Sequence, residues 1–259
     1  MWKALEALLR AEGARIRDAA PGTIAAEEKT GPQDLVTNYD RQVQENLERG
    51  LRQLRPGAGF LGEEGLRVPP AGHTGEFFII DPIDGTMNFA RDYRRSCISV
   101  ALADETGVRF GAVYDPYQDE YFCAERGRGA MRNGRPLRVS DRPLDRAIVM
   151  FGTAPYDRGV ADRTFALARR FFDRGLDLRR SGSAALDLCA VAAGRAEVFY
   201  ETLLSPWDYA AAGVILEEAG GVIRQFSGAP VLLRERCSVL AACAASWDEA
   251  KTILQEELL

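Results

Sequence analysis

Glu76-Phe77-Phe78-Ile79-Ile80-Asp81-Pro82-Ile83-Asp84-Gly85-Thr86 is the stretch from which the fold is read. Phe77 to Ile80 is an apolar run too short for a helix and suited to a buried strand. Asp81-Pro82 breaks it sharply, because proline has no N–H to give to a sheet ladder. A buried strand ending this way delivers Asp81 and Asp84 together to the top of a sheet. Pro82 fixes the chain between them and leaves the Ile83 carbonyl free to point outward. Gly85 permits a turn, and Thr86 can open a short helix whose unpaired N–H groups suit a phosphate. Crowded carboxylates are costly unless a cation offsets their repulsion, and an all-oxygen set selects Mg²⁺ or Mn²⁺. Asp-Pro and Asp-Gly are equally common in Asx-type turns, so this segment alone leaves both readings open.

Working outward, the chain before this strand reads as helix 2–20, then a second helix with Val43, Leu47, Leu51 and Leu54 on one face. Thr37 and Asp40 form a helix-start box, and Pro56-Gly57 forms the stop. Residues 60–64 read as a short strand, followed by a Gly/Pro-rich loop to Gly75. After the acidic segment, 96–103, 109–115 and 120–125 read as strands without intervening helices, which indicates an antiparallel sheet. From about residue 145 strands and helices alternate. Strands are expected at 147–151, 176–179, 196–200, 222–225 and 238–242. Helices are expected at 164–172, at 183–193, after Ser205-Pro206, and at 247–258. The expectation is a layered α+β and α/β protein: an α+β half over 1–144 and an α/β half over 145–259, in one compact unit.

Composition removes other classes. With 259 residues, 46% hydrophobic and 27% charged, the chain suits a globular fold with a large core. The longest uncharged run, Cys237 to Trp247, is 11 residues, short of the about 20 a membrane span needs. A net charge of −5, from 38 acidic and 33 basic residues, argues against a nucleic-acid partner. Five cysteines without a CxxC spacing and one histidine, His73, exclude a Cys/His zinc site. The N-terminal segment lacks the apolar stretch of a signal peptide, and the cytoplasm is the expected location.

Three further acidic motifs stand beside the first. Leu61-Gly62-Glu63-Glu64-Gly65 sets a Glu pair at another strand end. Asp208 follows Ser205-Pro206-Trp207 at a helix start, where it also completes a capping box. Asp34 in Asp34-Leu35-Val36-Thr37 precedes the second helix, where it can be a cap.

Taken in order, these motifs resemble the inositol monophosphatase family, in the superfamily of metal-dependent, lithium-sensitive sugar phosphatases. Gly62-Glu63-Glu64 is similar to its first acidic motif and Asp81-Pro82-Ile83-Asp84-Gly85-Thr86 to its central signature. Trp207-Asp208 with Glu217-Glu218-Ala219-Gly220-Gly221 is similar to its C-terminal signature, and Asp34-Leu35-Val36-Thr37 to its upstream segment. The resemblance implies an αβαβα sandwich, a homodimer, sensitivity to Li⁺, and two or three Mg²⁺ ions, with Mn²⁺ as a possible substitute. It implies that Glu63, Asp81 and the Ile83 carbonyl hold one ion, and that Asp81, Asp84 and Asp208 hold another. Gly85 and Thr86 would bind phosphate, Asp34 would pair with the Thr86 hydroxyl, and Thr86 with Glu63 would position water. Ser183, Ala184, Ala185 and Glu201 would face the substrate, a small phosphate monoester such as inositol monophosphate. Fructose 1,6-bisphosphate, histidinol phosphate and 3′-phosphoadenosine nucleotides are alternatives within the superfamily, and a binding role in the transcription machinery is a further one. Met87 departs from the family pattern, as do Gly65 and Arg91-Asp92-Tyr93-Arg94-Arg95. That arginine-rich segment is either a solvated loop or an anion-binding rim.

Overall fold

The structure is a computed structural model that describes residues 2–65 and 75–256. Most of the loop expected before Gly75, with His73, lies outside the described residues, as do residues 257 and 258 of the expected closing helix. Helix α1 (Trp2–Arg17) leads to a hairpin of β1 (Ala26–Gly31) and β2 (Asp34–Thr37), then α2 (Asn38–Leu54). Strands β3 (Gly59–Gly62) and β4 (Phe77–Asp84) precede the five-residue α3 (Thr86–Ala90). Next come β5 (Cys97–Asp104), β6 (Gly107–Asp115), β7 (Glu120–Glu125), β8 (Ala130–Arg132) and β9 (Arg135–Pro136). The second half runs β10 (Ile148–Phe151), α4 (Ala161–Arg174), β11 (Asp177–Arg179), α5 (Ala184–Ala192), β12 (Val198–Leu204) and α6 (Pro206–Glu218). It closes with β13 (Gly221–Arg224), β14 (Cys237–Cys243) and α7 (Ala244–Glu256).

The strands form a seven-stranded sheet in order β3-β4-β5-β6-β7-β8-β9 and a five-stranded sheet in order β11-β10-β12-β14-β13. Their alternation sorts the core into layers, because successive strand side chains point to opposite faces. Phe78 and Ile80 face Leu5, Leu9, Val43, Leu47 and Leu51 of α1 and α2. Phe77 and Ile79 face inward to α5 and α6, where Leu186, Val191, Ala211 and Ile215 also meet Phe199, Val239 and Ala241 of the second sheet. On the far side Val198, Tyr200 and Leu240 pack against Leu167 and Phe171 of α4 and Ile253 of α7. The order is helix, sheet, helix, sheet, helix. The change of rhythm near residue 145 marks the passage from one sheet to the next, with α5 and α6 filling the layer between them.

Three local expectations are corrected. The apolar strand does not stop at Asp81-Pro82: β4 continues to Asp84, and its register against β5 breaks between Asp81 and Asp84, where the missing proline N–H is tolerated. The first sheet is not wholly antiparallel, since β3 pairs parallel to β4. Residues 34–37, read as the approach to a helix, are the second strand of an antiparallel hairpin.

Candidate active site

The ends of β3 and β4, the starts of α3, α5 and α6, and the loop after β10 surround one polar cavity of about 250 Å³. On its floor, carboxylate oxygens of Asp81, Asp84 and Asp208 lie within 4.8 Å of one another. Each acid is oriented by a backbone N–H. Asp81 Oδ1 accepts from the Ile83 N–H at 3.0 Å, across the irregular end of β4. Asp84 Oδ2 accepts from the Ala185 N–H at 2.7 Å and from the hydroxyl of Ser183, the N-cap of α5, at 2.6 Å. Asp208 Oδ2 accepts from the Ser205 N–H at 2.7 Å, completing the capping box of α6. In all three the bonded oxygen fixes the carboxylate plane, while the second oxygen keeps its lone pairs for another partner.

No cationic side chain is ion-paired with these three acids among the described residues. Burial first, then the neighbouring charges of Glu63, Asp84 and Asp208, hold the Asp81 carboxyl well above its usual range. Asp208 is raised by burial and by Asp84 and Glu63. Burial also raises Asp84, against the bonds from Ser183 and the α5 amides. Carboxylates crowded in this way, each with an oxygen uncommitted to protein, form a donor set that fits a small hard divalent cation.

Glu63 joins the group from the end of β3, where its N–H donates to the Ile80 carbonyl at 3.3 Å. Its carboxylate meets Lys29 Nζ of β1 at 2.8 Å, and Glu64 is bound to the same ammonium. Burial pushes Glu63 up to about 7 against the pull of Lys29. Burial lowers the Lys29 ammonium, but Glu63 and Glu64 more than offset this and hold it above its usual range.

The Thr86 hydroxyl lies 3.0 Å from Asp40 Oδ1 and 3.0 Å from the Ile83 carbonyl. The expected Asp34–Thr86 pair is therefore replaced by Asp40–Thr86. Asp34 Oδ2 accepts from Thr30 within the hairpin, at 2.7 Å, and only lines the cavity. The Ile83 carbonyl also accepts from the Thr86 hydroxyl, which occupies one of its two lone pairs. Asp40 is fully buried at the start of α2, and its Oδ2 accepts from the Thr37 N–H at 2.8 Å. Burial pushes it up to about 6, opposed by Thr37 and Thr86. Gly85, at φ +93°, caps α3, and a Cβ there would come within 2.9 Å of the Arg95 carbonyl. Only glycine suits both conditions.

The substrate-facing expectations divide. Glu201 is buried in β12 and lines the cavity; its Oε1 accepts from the Ala154 N–H at 2.8 Å. Burial pushes it up to about 8. Gly152 beneath it has no room for a Cβ, which would overlap the carboxylate. Ser183 and Ala184 line the cavity, but the Ser183 hydroxyl is spent on Asp84, and Ala185 serves through its amide without lining the cavity. The segment at 91–95 does not line it either: Arg94 pairs with Asp92 at 3.1 Å on the surface.

Several wall residues escape the sequence reading. Asp187, in the first turn of α5, is buried with Oδ1 unpartnered among the described residues, and burial pushes it up to about 7. It hides in the apolar run Leu186-Asp187-Leu188. Tyr156 sits in the loop that follows β10, a strand parallel to β12. Loops at the carboxyl ends of such strands commonly carry ligand contacts, which is the signal that could have found it. Arg180 and Arg236 line the same cavity.

A sequence model of the inositol monophosphatase family matches residues 1–258. The chain belongs to that family. It is 36% identical over 254 residues to the inositol-1-monophosphatase of Bacillus subtilis, covering 96% of this chain and 93% of that one. It is 35% identical over 239 residues to the Nus factor SuhB of Pseudomonas aeruginosa, covering 91% and 88%. Among solved structures, an inositol monophosphatase of Thermotoga maritima superposes with a TM-score of 0.87 at 32% identity, over 97% of this chain and 95% of that one. An IMPase/NADP phosphatase complexed with Mg²⁺ and phosphate superposes with a TM-score of 0.85 at 25% identity, over 97% and 93%. The layered arrangement of mixed sheets and helices is that of this family's solved members.

Proposed function

We propose that this protein is a Mg²⁺-dependent phosphomonoesterase acting on a small phosphorylated polyol or sugar, with inositol monophosphate the first candidate. The observation that carries the reading is the convergence of Asp81, Asp84 and Asp208 on one cavity floor, beside the Thr86–Asp40 pair. A relative that holds Mg²⁺ and phosphate supports the choice of ion. Asp81, Asp84 and Asp208, with Glu63 and the Ile83 carbonyl, would hold the cation. When bound, it supplies a Lewis acid that offsets phosphate charge, lowers the pKa of water and stabilises the leaving alkoxide.

The remaining work falls to the chain. Ionised Asp40 accepts the Thr86 proton, which turns a lone pair of Thr86 Oγ1 outward to accept a proton from the attacking water. Glu63, pushed up to about 7 by burial, is the second group to orient that water. Unpaired N–H groups at Gly85 and Thr86 receive phosphate oxygens. Glu201 takes hydroxyls of the polyol.

The test is phosphate release from inositol phosphates, sugar bisphosphates, histidinol phosphate and adenosine nucleotides, with and without Mg²⁺ and Li⁺. Turnover of a monoester that needs Mg²⁺ and is inhibited by Li⁺ is expected; inactivity on every monoester overturns the reading. Relatives named Nus factor SuhB support a second reading, a partner of the transcription machinery. An Asp84→Asn protein that loses all turnover but leaves the cellular phenotype intact would favour it.

A further inference from the structure

Two arginines on the cavity wall are held by neutral partners. Arg236 donates from Nε to Ser205 Oγ at 3.2 Å, and its guanidinium lies 5.0 Å from the centre of the Tyr156 ring. Arg180 donates from Nη2 to Thr153 Oγ1 at 3.2 Å. Tyr156 is itself anchored through its hydroxyl to the Leu203 carbonyl at 2.8 Å. Both guanidinium groups thus flank the turn that carries Thr153 and Tyr156, beside Glu201. Six acids line the same cavity or its mouth, namely Asp34, Glu63, Asp81, Asp84, Asp187 and Asp208, with Glu201 a seventh. Even so, neither arginine is ion-paired with a carboxylate among the described residues.

An arginine neutralised by a carboxylate has little left for a ligand. One fixed by a hydroxyl and a ring keeps its full charge, with its remaining N–H donors in a planar fork that matches phosphate or carboxylate oxygens. The arginine-rich segment at 91–95 lies off the cavity.

We infer that Arg180 and Arg236 form a second anion subsite, which selects substrates whose alcohol portion carries a further phosphate in addition to the one hydrolysed. The inference rests on the phosphomonoesterase reading and revises only its order of substrates, placing sugar bisphosphates or phosphorylated nucleotides ahead of inositol monophosphate. It reassigns the anion-binding role from Arg91, Arg94 and Arg95 to residues contributed by the loops around β11 and β14.

The experiment compares fructose 1,6-bisphosphate with inositol 1-phosphate, using wild type, Arg180→Gln, Arg236→Gln and the double variant. Each single change is expected to raise KM for the bisphosphate about tenfold, as befits one lost charge-assisted contact. KM for the monophosphate should move less than about twofold, since no partner is removed from it. Arg180→Lys and Arg236→Lys should restore part of the bisphosphate KM, because the charge remains though the fork is lost. Equal losses on both substrates would assign the arginines to the hydrolysed phosphate, and unchanged kinetics would leave them structural; either result overturns the subsite. Inactivity of wild type on these two substrates and on every other monoester is the separate failure of the phosphomonoesterase reading. Calorimetric titration of fructose 1,6-bisphosphate into wild type and the double variant then still decides the subsite, since equal affinities would overturn it.

Discussion

Asp84 and Asp208 give one carboxylate oxygen each to N–H groups at helix starts, whereas Glu63 leans on the ammonium of Lys29, a long side chain on a hairpin. The first arrangement is rigid, because the bonded N–H belongs to a helix packed between two sheets. The second is adjustable: Lys29 and Glu63 are 22% and 21% exposed, so water can replace their contact. The same cavity therefore pairs a preset floor with a side wall whose counter-charge can leave. On the proposed reading a cation entering the floor would meet oxygens already aimed, whereas at Glu63 it would compete with a lysine.

The largest expected effect tests the floor. Asp84→Asn should lower kcat by about a thousandfold or more, as several kcal/mol of charge stabilisation are lost. It should also abolish the rise in melting temperature on adding Mg²⁺, a readout independent of turnover. A variant that still melts higher with Mg²⁺ would break the assignment of Asp84.

Next comes the proton path. Thr86→Val should lower kcat by about a hundredfold while leaving Mg²⁺ binding in place. Asp40→Asn should do likewise, and Asp34→Asn should do far less. If Asp34→Asn proved the more damaging, the pairing of Thr86 with Asp40 would be wrong.

Ser183→Ala asks whether the helix start orients Asp84. Mg²⁺ affinity, read by calorimetry, should fall about 10-fold to 100-fold, as for the loss of a group that orients a metal ligand. Stability without metal should fall by only about 1 kcal/mol, the usual cost of a lost cap. A large kinetic defect with unchanged Mg²⁺ affinity would instead return Ser183 to the substrate.

On the adjustable wall, Lys29→Met should lower the Mg²⁺ concentration for half-maximal activity a few-fold, by removing the competing ammonium. A higher Mg²⁺ requirement would mean that Lys29 assists the ion or the substrate.

The smallest effect concerns pH. Glu201 binds its proton up to about pH 8 when folded, against an ordinary value of 4.5. Between those values the folded chain holds a proton that the unfolded chain has released, so raising pH weakens the fold. Urea unfolding of the metal-free protein should show this decline, to which the other raised acids also contribute, and Glu201→Gln should make it shallower, most of all toward pH 8. An identical pH dependence in both proteins would show that Glu201 is not buried as described.

Much of this was legible in residue order. The alternation of Phe77 to Ile80 across two cores, the capping boxes at Thr37/Asp40 and Ser205/Asp208, and the acids at strand ends are local patterns, and local patterns survive in a linear sequence. The Thr37–Asp40 box was read correctly as a cap, yet its second oxygen was missed, because that oxygen serves a hydroxyl 46 residues away. Asp34 is the partner that the family resemblance implies for Thr86. Only the β1–β2 hairpin, which turns Asp34 toward Thr30, separates the two acids.

By itself, then, the sequence determined which segments are buried, where helices begin and which acids stand at strand ends, since these follow from spacing and from backbone chemistry within a few residues. Tertiary structure alone decided which acids share one cavity floor, which carboxylate receives the Thr86 proton, that Ser183 serves Asp84, and that Arg180 and Arg236 reach the cavity while Arg91 and Arg94 do not. Those outcomes depend on how two sheets and the helices between them stack. Side chains far apart in the chain meet only through that packing, and no local period encodes the meeting.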